Sequence, residues 1–157
     1  MFKTFRSRGL AAVVLSFAMT SCFSGSALSP EETVRGYLTA FQSGDFEKAY
    51  SFVSKGMARD KTKEEWATEQ RNMVLKAEAQ IIEFTIYPGV TGEDSASVPN
   101  VLRAKDKLFN QTGALEYEVY ELIFTEEKWA IDHSRLLIGK EAIAEVFPAD
   151  VAESAQE

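Results

Sequence analysis

Residues 29–54 read SPEETVRGYLTAFQSGDFEKAYSFVS, and this stretch predicts two helices joined by a sharp corner. Ser29 suits an N-cap position, and Glu32, three residues later, completes a capping box at the start of the first helix. Gly44 can take the left-handed conformation that ends a helix, and Asp45 can cap the next one. Apolar side chains then recur at helical spacing on one face of each helix, at Val34, Leu38 and Phe41 and at Phe46, Ala49, Tyr50 and Val53. We expect this helix pair to pack against the rest of the chain.

Length and composition indicate one acidic domain. The 157 residues are 45% hydrophobic, which is ample for one core. The formal net charge is −7, but residues 1–21 hold three basic side chains and no acidic one. Residues 22–157 therefore carry 14 basic against 24 acidic side chains, a net charge of −10. Because such a surface repels polyanions, we expect no nucleic-acid partner.

Residues 1–21 are typical of a secretory signal peptide. Lys3, Arg6 and Arg8 precede an apolar run, Leu10–Met19, which is too short to span a bilayer. This segment is therefore interpreted as a targeting signal rather than as part of the fold.

The end of this segment, Met19-Thr20-Ser21-Cys22, resembles the lipobox of bacterial lipoproteins, in which the cysteine is acylated and becomes the new N-terminus. Met19 departs from that pattern, which usually has Leu. Acyl chains such as palmitate stabilise membrane attachment by about 0.8 kcal/mol per buried methylene. The resemblance therefore implies a protein held in the bacterial cell envelope through Cys22. Phe23 follows the cysteine, which resembles the signal for the outer membrane, facing the periplasm, in Gram-negative bacteria.

An ordinary signal peptide cut nearby, leaving a free thiol, is the alternative interpretation of Cys22. Because Cys22 is the only cysteine in the chain, an intramolecular disulfide is excluded. An exported lone cysteine favours lipid attachment. Residues 22–28 then form a short tether, and the domain over residues 29–147 should lie close to the membrane.

The remaining chain predicts another helix followed by strands. Residues 55–61 are expected to form a loop, and Thr62 with Glu65 makes a second capping box for a helix that ends at about Ala77. From Gln80 the apolar period changes to two, which is typical of strands with one buried face. We expect strands over residues 80–86, 95–108, 115–125 and 129–137, a short helix over 139–147 and an acidic, frayed tail over 148–157.

The pairing of the second and third strands depends on a turn placed at residues 110–113. That turn puts Lys105 opposite Glu118 and Arg103 opposite Tyr120, a register favoured by charge complementarity. The inner face then collects Leu102, Ala104, Leu108, Leu115, Tyr117, Val119 and Ile123, and the outer face Val101, Tyr120, Leu122 and Phe124. Because a bare apolar face needs a cover, we expect a partner subunit or the C-terminal helix to lie on the outer face.

Two features of the strands leave alternatives open. Pro99 lacks a ladder donor, which suggests an edge strand or a bulge. A three-residue turn in the last hairpin places His133 opposite Glu121 on the inner face, together with Ile131. A two-residue turn instead moves Trp129, Ile131 and His133 to the outer face.

Several short motifs follow one another in a recognisable order. They are Pro30, Val34, Leu38 and Phe41, then Gly44-Asp45-Phe46 and Ala49, and finally Lys128-Trp129-Ala130-Ile131. In this order they resemble the nuclear transport factor 2-like superfamily and, more narrowly, lumazine-binding-like domains of unknown function in bacterial lipoproteins. The final hairpin departs from that pattern because Glu126-Glu127 lacks the usual Gly.

The resemblance implies an α+β fold in which three N-terminal helices close a cone-shaped, curved antiparallel sheet of about four strands. In the superfamily the cone leaves a pocket that serves catalysis in some members and binding or dimerisation in others. A fold with such varied uses cannot by itself identify the activity.

Residues suited to chemistry are few. His133 is the only histidine and Cys22 is assigned to the lipid, so we expect no metal site and no cofactor. On the three-residue-turn register, Glu121 and His133 converge on the inner face with Tyr117 and Asp106, as a general base and its neighbours. The alternative interpretation is that Glu121 and His133 form a structural pair without a catalytic role. The candidates for lining a binding pocket are Trp66, Met73, Tyr117, Val119, Ile123, Trp129, Ile131 and His133.

Three hypotheses about function follow. The preferred one is a noncatalytic envelope lipoprotein whose cone binds a small apolar ligand or a protein segment. The second is an assembly module that forms a homodimer through the face bearing Tyr120, Leu122 and Phe124. The third is an isomerase or dehydratase that uses Glu121 and His133.

Overall fold

The structure, a computed structural model, describes residues 27–155. The predicted signal peptide over residues 1–21 and the lipid-attachment residue Cys22 lie outside this range. The helices are α1 (Pro30–Gln42), α2 (Phe46–Tyr50), α3 (Lys55–Ala58), α4 (Lys63–Ala77), α5 (Lys140–Ala144) and α6 (Ala149–Ser154). The strands are β1 (Gln80–Ile86), β2 (Val90–Thr91), β3 (Ser95–Lys105), β4 (Leu115–Thr125) and β5 (Lys128–Leu136).

Both predicted capping boxes are confirmed. At the start of α1 the Ser29 hydroxyl accepts from the Glu32 N–H at 3.1 Å, and Glu32 Oε2 accepts from the Ser29 N–H at 2.8 Å. Thr62 and Glu65 make the same reciprocal pair at the start of α4. Each box satisfies backbone donors that a helix start otherwise leaves free.

The corner between α1 and α2 also forms as predicted. Gly44 has a φ of +75°, and the Asp45 carboxylate caps α2 by accepting a backbone N–H at 3.0 Å. The loop expected over residues 55–61, however, contains a one-turn helix, α3. It forms because the Ser54 hydroxyl caps it, accepting from the Met57 N–H at 3.0 Å.

The strands form one curved antiparallel sheet in the order β1-β3-β4-β5, with the short β2 also paired to β3. The predicted α+β class and curved antiparallel sheet are confirmed, with four helices before the sheet and five strands in it. The outer edge of β5 is partly covered because Val53 pairs with Ile131, whose N–H donates to the Phe52 carbonyl at 2.8 Å.

Pro99 lies in an interior strand, so its expected position in an edge strand is wrong. The Pro99 carbonyl accepts from the Tyr87 N–H at 2.9 Å, one residue past the end of β1. In antiparallel strands the N–H and C=O of a residue point to the same neighbour. The proline nitrogen therefore faces the end of β1, where the hydrogen bonds between β1 and β3 stop. The missing N–H of Pro99 costs at most one hydrogen bond there.

The register of β3 on β4 differs from the predicted one. Glu118 lies opposite Asn100 rather than Lys105. The four-residue turn does not form, because side chains close the longer connection from residue 106 to 114. Asp106 Oδ1 accepts two backbone N–H groups at 2.6 Å, and the Asn110 side chain bonds both backbone groups of residue 114. An odd shift in register exchanges the faces of one strand relative to the other.

The observed register decides which side chains meet the helices. We call the sheet face that carries Val98, Tyr120, Leu122 and Ile131 the helix face, because the N-terminal helices pack on it. Tyr120 and Leu122, expected on the outer face, are 5% and 1% exposed there. The main core also contains Val34, Leu38, Ala40, Phe46, Ala49, Ala58, Trp66, Ala67 and Leu102.

The opposite sheet face, which we call the C-terminal face, is covered by α5 and α6. Tyr117 and Val119, expected on the inner face with the helix pair, pack here against Phe147 and Ala152. A C-terminal helix thus does cover a sheet face, although not the one that bears Tyr120. Because Ala152 is only 4% exposed within α6, the frayed tail expected over residues 148–157 is wrong as far as the described residues extend.

The last hairpin combines features of both predicted alternatives. Its turn has two residues, Glu126 and Glu127, with φ values of +51° and +61°, as a type I′ turn requires. Trp129 accordingly lies on the helix face. The register then shifts at Asp132, which brings His133 opposite Glu121 on the C-terminal face. Their expected position on the inner face is therefore wrong.

Candidate functional site

The carboxylate and imidazole singled out from the sequence lie at the surface. Glu121 and His133 are cross-strand neighbours, but His133 is exposed and Glu121 is only half-buried. Glu121 Oε1 accepts from Ser97 Oγ at 3.3 Å and from Arg135 Nε at 3.4 Å. This carboxylate is held by surface polar groups, which suits a structural role.

The other two members of that group lie apart from it. Tyr117 is buried under α5 and α6, with its ring centroid 5.5 Å from that of Phe147. Asp106 closes the connection after β3, where backbone hydrogen bonds from Phe109 and Leu108 hold its pKa below the ordinary value. The four residues therefore do not form one active site.

The residues predicted to line a pocket are divided among three environments. Trp66 and Ile131 are buried in the core on the helix face, and Trp129 packs beside them at 5.2 Å from Phe124. Tyr117 and Val119 are buried on the C-terminal face, whereas Met73, Ile123 and His133 are exposed. No single cavity brings these eight side chains together.

Concavities in the described surface contain the predicted residues only singly or in pairs: Met73 lines one along α4, and Glu121 and Ile123 line one of about 400 Å³. A broad one of about 710 Å³ follows the solvent side of α4, between Glu65 and Lys76. A narrower, mainly apolar cleft of about 350 Å³ separates the ends of α1 and α4 and is lined by Phe41, Leu75 and Ile81. Size alone does not identify any of these concavities as a site.

A polar cluster in the middle of the helix face was not predicted. Asn100 on β3 and Glu118 on β4 are cross-strand neighbours, and Tyr120 follows two residues later on the same face. Tyr37 reaches them from α1, with its ring edge-on to Tyr120 at a centroid distance of 5.8 Å. Asn100, Tyr120 and Tyr37 are 0%, 5% and 7% exposed. We call these four residues the polar cluster.

Several atoms of the polar cluster have no hydrogen-bond partner in the described chain. They are Nδ2 and Oδ1 of Asn100 and Oε2 of Glu118. Leaving a buried polar atom unpaired costs about 1–3 kcal/mol, so native proteins keep few of them. These atoms make the polar cluster the candidate site, although none of its residues lines a concavity in the described surface.

The environment favours the neutral forms of these side chains. Burial and then the negative charge of Glu116 raise the pKa of Glu118, although the Tyr120 hydroxyl and the Asn100 amide lie close enough to the carboxyl, without a well-aligned hydrogen bond, to lower it in part. Burial and Glu118 also raise the pKa of Tyr37 and of Tyr120 well above the ordinary tyrosine range. Both phenols therefore stay protonated, and the polar cluster can donate, accept or share protons with a bound group.

This cluster was difficult to predict from the sequence because β4 carries large side chains on both faces. Glu116, Glu118 and Tyr120 alternate with Leu115, Tyr117 and Val119, so polarity does not mark the inner face. A usable signal was Asn100, a polar residue with low strand propensity inside an apolar strand.

Two classes of site are absent from residues 27–155. No helix in this range is long and apolar enough to cross a membrane. No group of three or more His, Cys, Asp or Glu side chains in the same range is arranged to hold a metal ion.

Comparison with known proteins yields structural relatives only. No family model and no curated protein matches the sequence. Bd1075 of Bdellovibrio bacteriovorus matches 69% of this chain with a TM-score of 0.52 at 16% identity. A domain of unknown function with a cystatin-like fold from Nostoc punctiforme matches 79% with a TM-score of 0.51 at 12% identity. The fold is cystatin-like.

The cystatin-like domains have the nuclear transport factor 2-like fold, so the fold implied by the resemblance is confirmed, whereas the narrower likeness to lumazine-binding-like lipoprotein domains stays a prediction. An NTF2-like transpeptidase from Campylobacter jejuni also matches 66% of this chain, with a TM-score of 0.44 at 14% identity. The aligned region spans 38% of Bd1075 and 88% of the Nostoc domain. These identities carry the fold and not the activity.

Proposed function

We propose that the protein is a lipid-anchored component of the bacterial cell envelope whose domain binds a small molecule or a protein segment on its helix face, without catalysis. The observation that carries the binding role is the unpaired amide of Asn100 beside Glu118 in the polar cluster. Such an arrangement costs stability in the free protein, and a bound polar group removes that cost.

The packing of the helix face favours a ligand with a polar end over a purely apolar one. Leu38, Leu122 and Ile131 are each less than 2% exposed, so the chain itself fills the apolar part of this face. What remains unmatched is hydrogen-bonding capacity at Asn100 and Glu118. We therefore refine the expected apolar ligand to one that presents a polar group to the cluster.

The position of Glu121 and His133 argues against the enzyme alternative. A general base acts from hydrogen-bond distance of a bound substrate, usually in a cavity that excludes water. His133 is exposed on the C-terminal face, and Glu121 is occupied by Ser97 and Arg135. The self-association alternative also loses its surface, since Tyr120 and Leu122 are buried within the chain.

The lipid anchor rests on the lipobox-like residues that end at Cys22. Six residues separate Cys22 from the cap Ser29, and Glu31 then fixes the start of α1 by accepting from the Gly89 N–H at 3.1 Å. A rigid domain that begins so soon after the acylated residue stays close to the bilayer.

Metabolic labelling tests the anchor. We expect the full chain, expressed in a bacterial host with a palmitate analogue, to carry the label and fractionate with membranes. Cys22→Ala should lose the label, whereas Ser24→Ala should keep it. An unlabelled wild-type chain released into the soluble periplasm would overturn the anchor but leave the binding role intact.

Native mass spectrometry tests the binding role. The full chain, extracted in mild detergent from its host membranes, should retain a bound small molecule or peptide. Asn100→Leu should lose that mass, and Glu121→Gln, on the C-terminal face, should keep it. An empty wild-type protein from membranes collected under several growth conditions would contradict the proposal.

A further inference from the structure

We propose that the apolar cleft between the ends of α1 and α4 binds a monocarboxylate with an alkyl chain, such as a free fatty acid, and that Arg71 binds its carboxylate. We call this concavity, of about 350 Å³, the α1–α4 cleft. It shares no residue with the polar cluster. The inference therefore goes beyond the proposed function and does not depend on Asn100.

The walls of the α1–α4 cleft are apolar and come from four elements. Phe41 near the end of α1 and Phe46 at the start of α2 meet edge-on at a ring-centroid distance of 5.0 Å. Val74 and Leu75 line the cleft from α4, and Ile81 lines it from β1. Leu75 is 68% exposed, so a ligand can reach the cleft from solvent beside it. The volume lies within the range of roughly 300–1,000 Å³ that is typical of ligand pockets.

Arg71 is the only charged residue among those that line the cleft. Its guanidinium carbon lies 5.9 Å from the ring centroid of Phe46, which is itself part of the wall. Within residues 27–155 no carboxylate forms an ion pair with Arg71. The helix supplies none, because the residues three and four positions away are Ala67, Thr68, Val74 and Leu75. The charge and the N–H donors of Arg71 are therefore available to a ligand.

The charge of the α1–α4 cleft is unusual in this acidic protein. Residues 22–157 carry a net charge of −10, and other concavities in the described surface contain carboxylates. Glu65 and Glu69 line the one along α4, and Glu121 and Asp132 line the one of about 400 Å³. No described carboxylate lines the α1–α4 cleft. An apolar wall with one guanidinium is complementary to an alkyl chain with one carboxylate, because Arg binds carboxylates through two parallel hydrogen bonds.

An extended peptide fits this cleft less well than a fatty acid. A peptide that docks beside a strand bonds to the free backbone groups of that strand. At the β1 side of the cleft, the Gln42 side-chain amide already donates to the carbonyls of Ile81 and Ile82, at 3.2 and 3.0 Å. Ser43 Oγ, on the α1 side, donates to the Ala40 carbonyl at 2.9 Å. These groups are engaged within the chain, which favours a ligand that needs only one polar partner.

Three probes with one chain and different head groups test this chemistry: octanoate, octan-1-ol and octylammonium. The full chain is reconstituted in phosphatidylcholine nanodiscs, so that no detergent competes for the cleft, and a chain that carries no lipid is measured in buffer. Titration calorimetry and saturation-transfer NMR measure binding against empty nanodiscs. We expect octanoate to bind at least roughly tenfold more tightly than octan-1-ol, the ratio that one charge-assisted hydrogen bond produces, and octylammonium to bind most weakly.

Variants of Arg71 and Leu75 assign the two parts of the ligand, and both side chains are exposed, so the fold is kept. Arg71→Gln should weaken octanoate binding at least roughly tenfold and leave octan-1-ol binding unchanged. Arg71→Lys, which keeps the charge, should retain the preference for octanoate. Leu75→Ser should weaken both probes, because it removes apolar wall. Lys76→Gln, on the same helix but outside the lining of the cleft, is the control and should change neither.

Equal affinities for octanoate and octan-1-ol, or a preference for octanoate that Arg71→Gln leaves unchanged, would overturn the carboxylate site. In native mass spectrometry of protein from its host, a fatty-acid mass that Arg71→Gln loses and Asn100→Leu keeps would support it. A peptide mass lost in Arg71→Gln, or a homodimer that Leu75→Ser dissociates, would assign the cleft to another occupant and overturn it. Octanoate binding through Arg71 in a protein with no ligand at Asn100 would support this site and contradict the proposed function alone.

Discussion

At the scale of single residues, two buried asparagines, Asn100 within β3 and Asn110 in the connection after it, differ in their hydrogen bonding. Asn110 is 8% exposed and fully bonded, through Ala114 and Glu116. Asn100 is 0% exposed, and neither polar atom of its side chain has a partner. Equal burial with unequal bonding gives a direct test of whether Asn100 serves the fold or a ligand.

Asn100→Leu should leave the free energy of unfolding unchanged or raise it by about 1 kcal/mol, because it removes unpaired polar atoms from the core. Asn110→Leu should lower it by about 2–3 kcal/mol, because it breaks bonds and leaves other groups unpaired. Urea unfolding of the two variants in detergent measures both values. A loss of equal size in the two variants would show that Asn100 is a structural residue.

The raised pKa of Glu118 makes stability depend on pH in a defined direction. Its ordinary value is 4.5, and burial raises it in the folded protein. Folding therefore favours the protonated Glu118 carboxyl. Its contribution to the free energy of unfolding is complete below pH 4.5 and is lost as the pH rises through the pKa of the folded protein. Glu118→Gln removes this loss, because glutamine stays neutral.

We expect Glu118→Gln to be more stable than the wild type at pH 7, with the difference shrinking towards pH 4. Thermal melts at several pH values check this, and Glu47→Gln, at an exposed position of α2, serves as the control. A difference that grows as pH falls would mean that the Glu118 carboxylate is stabilised by the fold, contrary to the packing around it.

At the scale of elements, local signals in the sequence were sufficient for the helices. The capping boxes at Ser29 and Thr62 and the Gly44 corner fix where α1 and α4 begin and where α1 ends. Strand positions were also predictable from the period of two. Their register was not, because Asp106 and Asn110 close the connection through side-chain bonds that have no turn signature.

For the same reason, the sequence did not reveal which face of β4 packs on the helices. The polar cluster on that face therefore could not be predicted either. One misplaced register put Glu118 opposite a lysine on a solvated face, where a carboxylate needs no explanation. Asn100, its real neighbour, then had no visible counterpart. The three-residue-turn alternative correctly placed Glu121 opposite His133. The turn in the structure has two residues, and the register shift at Asp132 that restores this pairing has no recognisable pattern in the sequence.

The turn of the last hairpin offers a stability test at this scale. Glu126 and Glu127 both have positive φ, which favours Asn and Gly, and their charges are adjacent. The double change Glu126→Asn with Glu127→Gly should raise the free energy of unfolding by about 1 kcal/mol. The ion pair between Lys55 and Glu126 is exposed at 3.8 Å, so its loss should matter little.

Thermal melting of the double variant measures the gain. Changing Glu93 and Glu47 to Asn, both at exposed positions, controls for the removal of two negative charges. An unchanged or lower melting temperature in the turn variant would mean that the ion pair or the strand ends, rather than backbone strain, set the stability of this hairpin.

At the scale of the whole molecule, the sheet is covered on both faces by different ends of the chain. The N-terminal helices cover the helix face, and α5 and α6 cover Tyr117 and Val119 on the other. Both covers belong to one chain, which accounts for large apolar side chains on both faces of β4 without a partner subunit. The C-terminal residues are therefore part of the folded domain rather than an appendage.

Removal of residues 149–157 should lower the melting temperature, because it uncovers the side chains that contact Ala152. A chain that ends at Ala155 should melt like the wild type. Circular dichroism melts compare the two, and equal melting temperatures would show that α5 alone suffices to cover the C-terminal face.

The course of α1 along β1 sets which end of the domain lies far from the N-terminus of α1. Glu31, at the start of α1, bonds Gly89 just past one end of β1, and Gln42 at the other end of α1 donates to the carbonyls of Ile81 and Ile82. The seven residues of β1 span roughly 23 Å. If the proposed attachment through Cys22 holds, the connection after β3, with Phe109 93% exposed, stands at the end of the domain far from the anchor.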